Sequence, residues 1–454
     1  MKSSIRIANG QGFWGDWLEA PIRQVSGGPI DYLVLDFLAE VTMSILQKQK
    51  ARNPEHGYAR DVVGLTVRLL PDLIERDIKM LSNAGGVNPH ACARAIVDAA
   101  TRAGIHGAKV AVVSGDDIFD RIDDMLSRGL RFDDIDSGVG IDTVRDRLLS
   151  ANVYLGAFPL VEALETGANV IIAGRSTDTA LALAPMIHEF GWKADEWDRM
   201  AAGTIAGHII ECGAQCTGGN CSIDWQTIPD MANIGFPIVE AHPDGTFVVT
   251  KHDGTGGRVT QATVKEQLLY ELGDPNAYLT PDCSADFTSI QLRDDGPDRV
   301  AVEGIRGEPR PPILKTSITY SAGFKAIGSL VFSWPDAREK AEAADRIVRQ
   351  RVAALGLEFD EIYTEYLGIN ACHGAIAPEI ADPAEVQLRI GVRGPDREAV
   401  DRFTRELIPL VLTGPPTGTG FGDGRPRTQA VVAYWSSLLQ REEIEPKVDV
   451  YEIP

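Results

Sequence analysis

Apolar residues in the first half of the chain come in short runs, separated by stretches with helical spacing. Residues 5–8, 32–35, 79–81, 110–113, 152–155 and 169–173 each read as a strand. A helical stretch over 70–77 leads into the third run, and another over 91–103 leads into the fourth. Most of these runs are almost continuously apolar, as strands covered on both faces should be. Strands alternating with helices predict an α/β fold: a doubly wound, mostly parallel sheet with right-handed crossovers.

From about Cys212 the pattern changes. Glycine and polar residues cluster in CGAQCTGGNCS, and 239–252 reads as a hairpin about Pro243, Asp244 and Gly245. A capping box from Thr263 to Glu266 is expected to open the helix carrying 267–272. After the proline-rich EPRPPI come a strand (327–332), a long amphipathic helix (336–355), a strand (386–392) and a helix (396–407) stopped by Pro409. This order suggests a smaller α+β, ferredoxin-like C-terminal domain. The expected division is an α/β domain over 1–310, with 220–310 as a candidate β-rich subdomain, and a ferredoxin-like domain over 311–454. No internal repeat or low-complexity tract interrupts it.

Charge narrows the partners. The chain has 454 residues with Lys+Arg 44 against Asp+Glu 65, a net charge of −21. Such a surface repels phosphate backbones and anionic lipid, so neither nucleic acid nor a membrane is expected as a partner. A small anionic substrate then needs a local cationic pocket. The opening MKSSIRIANGQG runs straight into a strand without the apolar core of a secretory signal, and no apolar stretch has membrane-spanning length. Six cysteines in a chain this long imply reduced thiols and a cytoplasmic protein. A homo-oligomer is expected, with a small partner subunit as an alternative.

In an open parallel sheet, ligands bind beyond the carboxyl ends of the strands. Here those ends carry Asn9-Gly10-Gln11-Gly12, Asp36, Asn83-Ala84-Gly85-Gly86, Ser114-Gly115-Asp116-Asp117, Gly156, and Gly174-Arg175-Ser176-Thr177-Asp178. Asn9, Gly10, Gly12, Gly85, Gly86, Ser114, Gly115 and Thr177 are expected to line one substrate cavity. The plainer alternative is that strand-to-helix turns simply favour these residue types. Arg175 suits bidentate binding of a carboxylate. Asp178 is either a helix N-terminal group, a general base or a metal ligand. Asp116 and Asp117 join it as a candidate acid/base pair or an oxygen-rich divalent-metal site.

Other features admit several readings. Gly10-x-Gly12-x-x-Gly15 with Asp36 fits a dinucleotide fingerprint, although Pro21 and the bulky Phe13-Trp14 pair fit it poorly. His208, Glu211, Cys212, Cys216 and Cys221 invite zinc but lack a Cys-x-x-Cys pair. The alternatives are buried thiols beyond a helix end, or His208 or Glu211 acting as an acid/base. The glycine-rich 252–258 offers amides for an anion, and 414–427, with Gly422, Arg425 and Arg427, offers arginines for a carboxylate or a CoA phosphate. Asp282 and Asp286 read as solvated turn acids.

The segments IRIANGQGFWGD, NAGGVNP, ANVYLGAFPLVEAL, GRSTDTALALAPMIHEFGW and GPPTGTGFGDGRPR together resemble the acyclic terpene utilisation AtuA family, from the first strand to the last loop. The resemblance implies an N-terminal AtuA domain to about residue 310 or 345 and a ferredoxin-like C-terminal domain. It also implies a lyase step on a branched hydroxy-glutaryl-type CoA thioester in bacterial terpene catabolism, and it links many members to carboxylate catabolism. It brings no set of catalytic residues.

The leading expectation is therefore a lyase, hydro-lyase or carbon–carbon, acting on a small hydroxy-carboxylate or its CoA thioester. Arg175 would clamp the carboxylate and Asp178 or Asp116 would move the proton. Asn83 or a divalent metal would stabilise the developing charge, and Arg425 would assist binding. A nucleotide-dependent oxidoreductase and a non-catalytic subunit completing a partner's site are the alternatives.

Overall fold

The first four apolar runs fold into β1 (Ile5–Gln11), β2 (Tyr32–Leu35), β3 (Lys79–Ser82) and β4 (Lys109–Ser114), and β5 (Leu148–Val153) and β6 (Val170–Ala173) follow. The structure is a computed structural model that describes residues 2–420 and 424–454. Gly422 of the glycine-rich loop lies outside the described residues.

β1, β2, β3, β6 and β4 pair in parallel in that order, so their carboxyl ends share one edge. Alternate side chains enter two cores. Ile7, Val34, Leu81, Ile171 and Val113 pack with residues of the helices Phe158–Glu165, Ala180–Phe190 and Trp197–Ile210. Ala8, Leu33, Met80, Ile172 and Val112 pack with the helices Asp61–Glu75 and Pro89–Arg102. Burial on both faces is why these runs are continuously apolar.

The sheet continues antiparallel on both sides. β7 (Ile238–Ala241) joins β1 and forms the expected hairpin with β8 (Phe247–Thr250). The hairpin turns at Gly245, whose φ of 91° favours glycine. β9 (Tyr278–Leu279) and β10 (Ser284–Asp286) precede β11 (Gln291–Asp294), β12 (Val300–Glu303) and β13 (Arg306–Glu308). β12 and β11 extend the large sheet beyond β8, while β13, β10 and β9 form a three-stranded sheet of their own. β5 leaves the large sheet and pairs with β14 (Ile313–Ser333).

Three further elements follow: β15 (Glu361–Leu367), β16 (Glu385–Gly394) and β17 (Gln429–Gln440). The last strand, β18 (Lys447–Glu452), lies antiparallel against β4 from Lys447↔Ser114 to Glu452↔Lys109. The protein is thus mixed α/β, with a ten-stranded mixed sheet in which five parallel strands are flanked by antiparallel ones.

Contacts divide the chain into residues up to Thr319 with Tyr434–Pro454, and Tyr320–Ala433. The division falls at Thr319/Tyr320 rather than 310/311, and the terminal residues close back into the first unit. In the second unit the strand order is β15-β16-β14-β17. Leu330, Phe332, Leu388 and Ile390 pack against Ala344 and Val348 of the helix Ala337–Ala354 and Phe403 of Arg397–Phe403. Pro409 does not stop that last helix. It caps a further turn, Leu410–Thr413.

One start signal shifts. The helix Gln261–Leu269 is capped by Thr260, whose hydroxyl accepts from Thr263 N at 3.2 Å, so Thr263 is the reciprocal partner rather than the cap. Glu266 instead accepts from Ser222 N and Ile223 N at 2.9 and 3.0 Å. Among the described residues no helix is long and apolar enough to cross a membrane, and all six cysteines are free.

Candidate functional site

Beyond the carboxyl ends of the parallel strands, within the first unit, lies a cavity of about 380 Å³. Arg175, Thr177 and Asp178 reach it from the loop after β6, and Glu40 from the start of the helix Glu40–Arg52. Glu211 reaches it from the end of the helix Trp197–Ile210. Tyr154 lies just past β5, Tyr278 on β9 and Lys315 on β14. Ile135, Leu279, Ile313, Leu314 and Leu438 add an apolar wall.

Arg175 is only 2% exposed. Its Nη1 donates to Leu38 O at 2.8 Å and to Asp178 Oδ1 at 3.4 Å, and its guanidinium lies 4.2 Å from the Tyr154 ring centre. Lys315 Nζ lies 5.2 Å from the same ring. Both cations thus face one ring, and Glu40 Oε1 lies 4.0 Å from Arg175 Nη2 and from Lys315 Nζ. Burial works against the guanidinium charge, but Tyr154 and Asp178 outweigh it and Arg175 stays firmly protonated. Its Nε has no hydrogen-bond partner, nor do the hydroxyls of Thr177 and Thr179.

The acids divide by environment. Tyr154 Oη donates to Glu40 Oε1 at 2.6 Å. Burial raises the Glu40 carboxyl, but this bond and Arg175 together hold it below its ordinary range. Asp178 opens about a third of its side chain to the cavity, yet the surrounding protein, and then Asp36, hold it well above the ordinary range despite Arg175. Asp178 therefore binds its proton more tightly than an exposed aspartate does. Asp36, buried behind it, is pushed up to about 6, by burial first.

Several expected site residues lie one layer back. Asn83 donates to Asp36 Oδ1 at 2.7 Å and accepts from Phe37 N at 2.8 Å, and both residues are buried. Asp116 Oδ2 accepts from Asn152 Nδ2 and from Arg175 N, each at 2.8 Å, so it holds the Arg175 loop from beneath. Burial pushes Asp116 up to about 7. Asp117 pairs with Lys50 at 3.6 Å.

The glycines serve close packing. A Cβ at Gly10 would come 2.9 Å from Pro21 Cα, and one at Gly12 2.8 Å from Cys212 C. One at Gly85 would come 2.5 Å from Ala173 O, Gly86 packs on Leu46, and Gly115 packs on Glu445. Ser114 pairs with Lys447, and Asn9 Nδ2 donates to Gln11 O at 3.1 Å. None of these residues lines the cavity. Arg425 belongs to the second unit, where it lines a cavity of about 470 Å³ with Arg389 and Arg427.

The remaining motifs are mostly structural. Gly10 lies within β1, Gly12 N donates to Asp16 Oδ2 at 2.9 Å, and a carboxylate thus stands where a pyrophosphate would bind. The amides of Gly256, Gly257 and Arg258 donate to Asn233 O, Pro229 O and Thr217 O. Burial raises the thiols of Cys212, to about 12, and of Cys216 and Cys221. Among the described residues no three His, Cys, Asp or Glu side chains group as a metal-holding set. Asp282 is buried rather than solvated and caps Ala157 N with both oxygens at 3.0 Å.

Strand-end reading passes over four cavity residues, of which Glu40 and Tyr154 carry a signal. Glu40 opens a helix four residues beyond Asp36, and Tyr154 immediately precedes the Gly156 turn. Lys315 and Tyr278 come from distant segments with no local motif. A family model described as acyclic terpene utilisation family protein AtuA matches residues 5–450, while no curated protein matches the chain. With nearly its whole length matched, this chain belongs to the acyclic terpene utilisation AtuA family.

Proposed function

We propose that the protein is a lyase acting on a small hydroxy-carboxylate, or its CoA thioester, in the cavity of Arg175 and Lys315. The observation that carries this reading is the combination in one cavity of a buried guanidinium, an ammonium near the same tyrosine and a carboxyl whose proton affinity burial raises. The two cations share one carboxylate, Glu40, and offer an anionic substrate two further ion-pair partners within an acidic protein. Arg175 and Lys315 bind the carboxylate, with Thr177 and Thr179 as further donors. Asp178 is the general acid. In a hydro-lyase it protonates the departing hydroxyl; in carbon–carbon cleavage it protonates the carbon left behind.

A nucleotide-dependent oxidoreductase has less support, because Asp16 occupies the Gly12 amide and Asp36 is tied to Asn83. The free thiols fit a cytoplasmic setting. We also read the parallel strands with helices on both faces as a doubly wound core. The β-α-β-β-α-β succession of the second unit we read as ferredoxin-like. The test is turnover of malate, citrate and 3-hydroxybutyrate. Arg175→Ala and Asp178→Asn should each lower kcat/KM by about a hundred- to a thousand-fold, the usual scale for removing a charge-stabilising or proton-donating group. Unchanged turnover in both variants would refute the reading.

A further inference from the structure

We infer that Glu211 is the proton-abstracting base of this cavity and that His208, sealed behind it, is its positioning residue. The inference rests on the lyase reading and names the group that reading leaves open.

The helix Trp197–Ile210 delivers both residues. His208 lies in its last turn and Glu211 follows its end, three residues apart on one face. The helix end is fastened from two sides: Gln267 Nε2 donates to His208 O at 3.0 Å, and Asn9 Nδ2 reaches Glu211 O at 3.4 Å. Glu211 keeps 12% of its side chain exposed and lines the cavity with Asp178 and Tyr278.

His208 does not reach the cavity. It is 1% exposed, and its ring centre lies 5.5 Å from that of Tyr278 and 5.3 Å from that of Phe287. These rings leave it little freedom to turn. Its Nδ1 lies 2.9 Å from Glu211 Oε1, at an angle too poor for a regular hydrogen bond, and its Nε2 has no partner. A histidine serving only to fill a core would have its nitrogens satisfied. The backbone of Leu268 and Gln267 also faces the ring, but the side chain that approaches its Nδ1 is Glu211, which opens into the cavity.

The acids facing Glu211 explain what the histidine does. Asp36 comes from beyond β2, Asp178 from ahead of the helix Ala180–Phe190, and Tyr278 from β9. Cys212 adjoins it on its own segment, and Tyr270 follows the helix Gln261–Leu269. Against these acidic groups His208 sets a basic side chain at Oε1, so proton transfer falls to Oε2. Burial lowers the His208 proton affinity, but Glu211 raises it more, and the ring stays charged beyond the ordinary histidine range.

In a hydro-lyase step, Glu211 takes the proton from the carbon next to the substrate carboxyl. That C–H pair becomes the new C=C π bond, the C–O bond to the hydroxyl breaks, and the Asp178 proton leaves with the oxygen as water. Glu211 ends protonated and Asp178 ionised, and exchange with solvent restores both.

The experiment has a substrate-free arm and a chemical arm, both on the full chain. Nitrogen-15 NMR of the His208 ring should give a titration midpoint above that of an ordinary histidine, falling in Glu211→Gln. A midpoint unmoved by that substitution overturns the pairing. In D2O, the wild type should wash deuterium into the carbon next to the carboxyl of malate or 3-hydroxybutyrate, and Glu211→Gln should abolish this. His208→Gln should lower kcat about tenfold with KM unchanged and remove the alkaline limb of the pH–rate profile, which packing alone would not do. Exchange that survives in Glu211→Gln, or is absent from the wild type, overturns the base assignment. If Arg175→Ala and Asp178→Asn still lose turnover, the lyase reading stands without it.

Discussion

Asp116 offers a measurement that separates its structural role from the catalytic one its position suggests. Its carboxyl is buried and accepts two N–H donors on a single oxygen, Oδ2. Burial lifts it from an ordinary 3.8 to about 7. A carboxyl whose folded value is raised stabilises the native state fully at low pH and loses that contribution as pH rises through the folded value. With 3.8 for the unfolded chain, the loss is ~1.7 kcal/mol by pH 5 and ~4.3 kcal/mol by pH 8, a difference of ~2.6 kcal/mol. Asp116→Asn keeps the shape and can present its amide oxygen to both donors without ever ionising. The stability of the variant relative to the wild type should rise by ~2.6 kcal/mol between pH 5 and pH 8, a gain of several degrees in Tm. Thermal unfolding of both proteins at the two pH values reads this directly, and hydroxy-acid turnover should survive. Equal loss of stability at both pH values would mean that Asp116 is ionised in the native protein, and the reasoning from burial would be wrong.

Two further outcomes follow from packing. Gly174→Ala should lower stability by about 1–3 kcal/mol, because its Cβ would overlap Asp116 Oδ1, which the two N–H donors to the same carboxylate keep from moving aside; Gly64→Ala, mid-helix with open space around it, should raise stability by about 0.5–1 kcal/mol, and melting curves of the pair should move in opposite directions. Removing residues 447–454 should strip β18 from β4 and withdraw Val448, Tyr451 and Ile453 from the two cores, giving aggregated protein by size-exclusion chromatography, whereas a soluble chain of unchanged Tm would show the strand to be dispensable.

What the sequence discloses follows the range of the interactions. The parallel strands were legible because each is buried on both faces and leaves a continuous apolar run, as Tyr32–Leu35 does. β18 was not, since in KVDVYE only alternate residues are apolar and its place depends on β4, more than 300 residues earlier. Arg175, Thr177 and Asp178 were legible as a site because one loop carries them. Lys315 reaches the same tyrosine ring from a segment to which the sequence assigned no element, and no local pattern marks it. Asp282 read as a solvated turn acid because nothing near it in sequence shows that it caps Ala157, on a loop 125 residues away.

The strand ends held the expected polar residues, yet most face one another rather than a ligand. Where parallel strands end together, their loops crowd backbone amides into a space without water, and each buried amide needs an acceptor. Asn83 serves Phe37, Asp36 serves Leu38, Ser82 serves Ala84, Asp116 serves Arg175 and Asp282 serves Ala157. A carboxylate used this way is desolvated, and Asp36 then acts at a distance: its charge is the second influence, after burial, raising the proton affinity of Asp178. The buried layer therefore does two jobs with the same side chains. It fixes the loop that aims Arg175, and it sets the protonation of the group beside it. A strand-end aspartate can thus belong to the chemistry without touching the substrate, which is why residue type identified this rim but not which of its acids face the cavity.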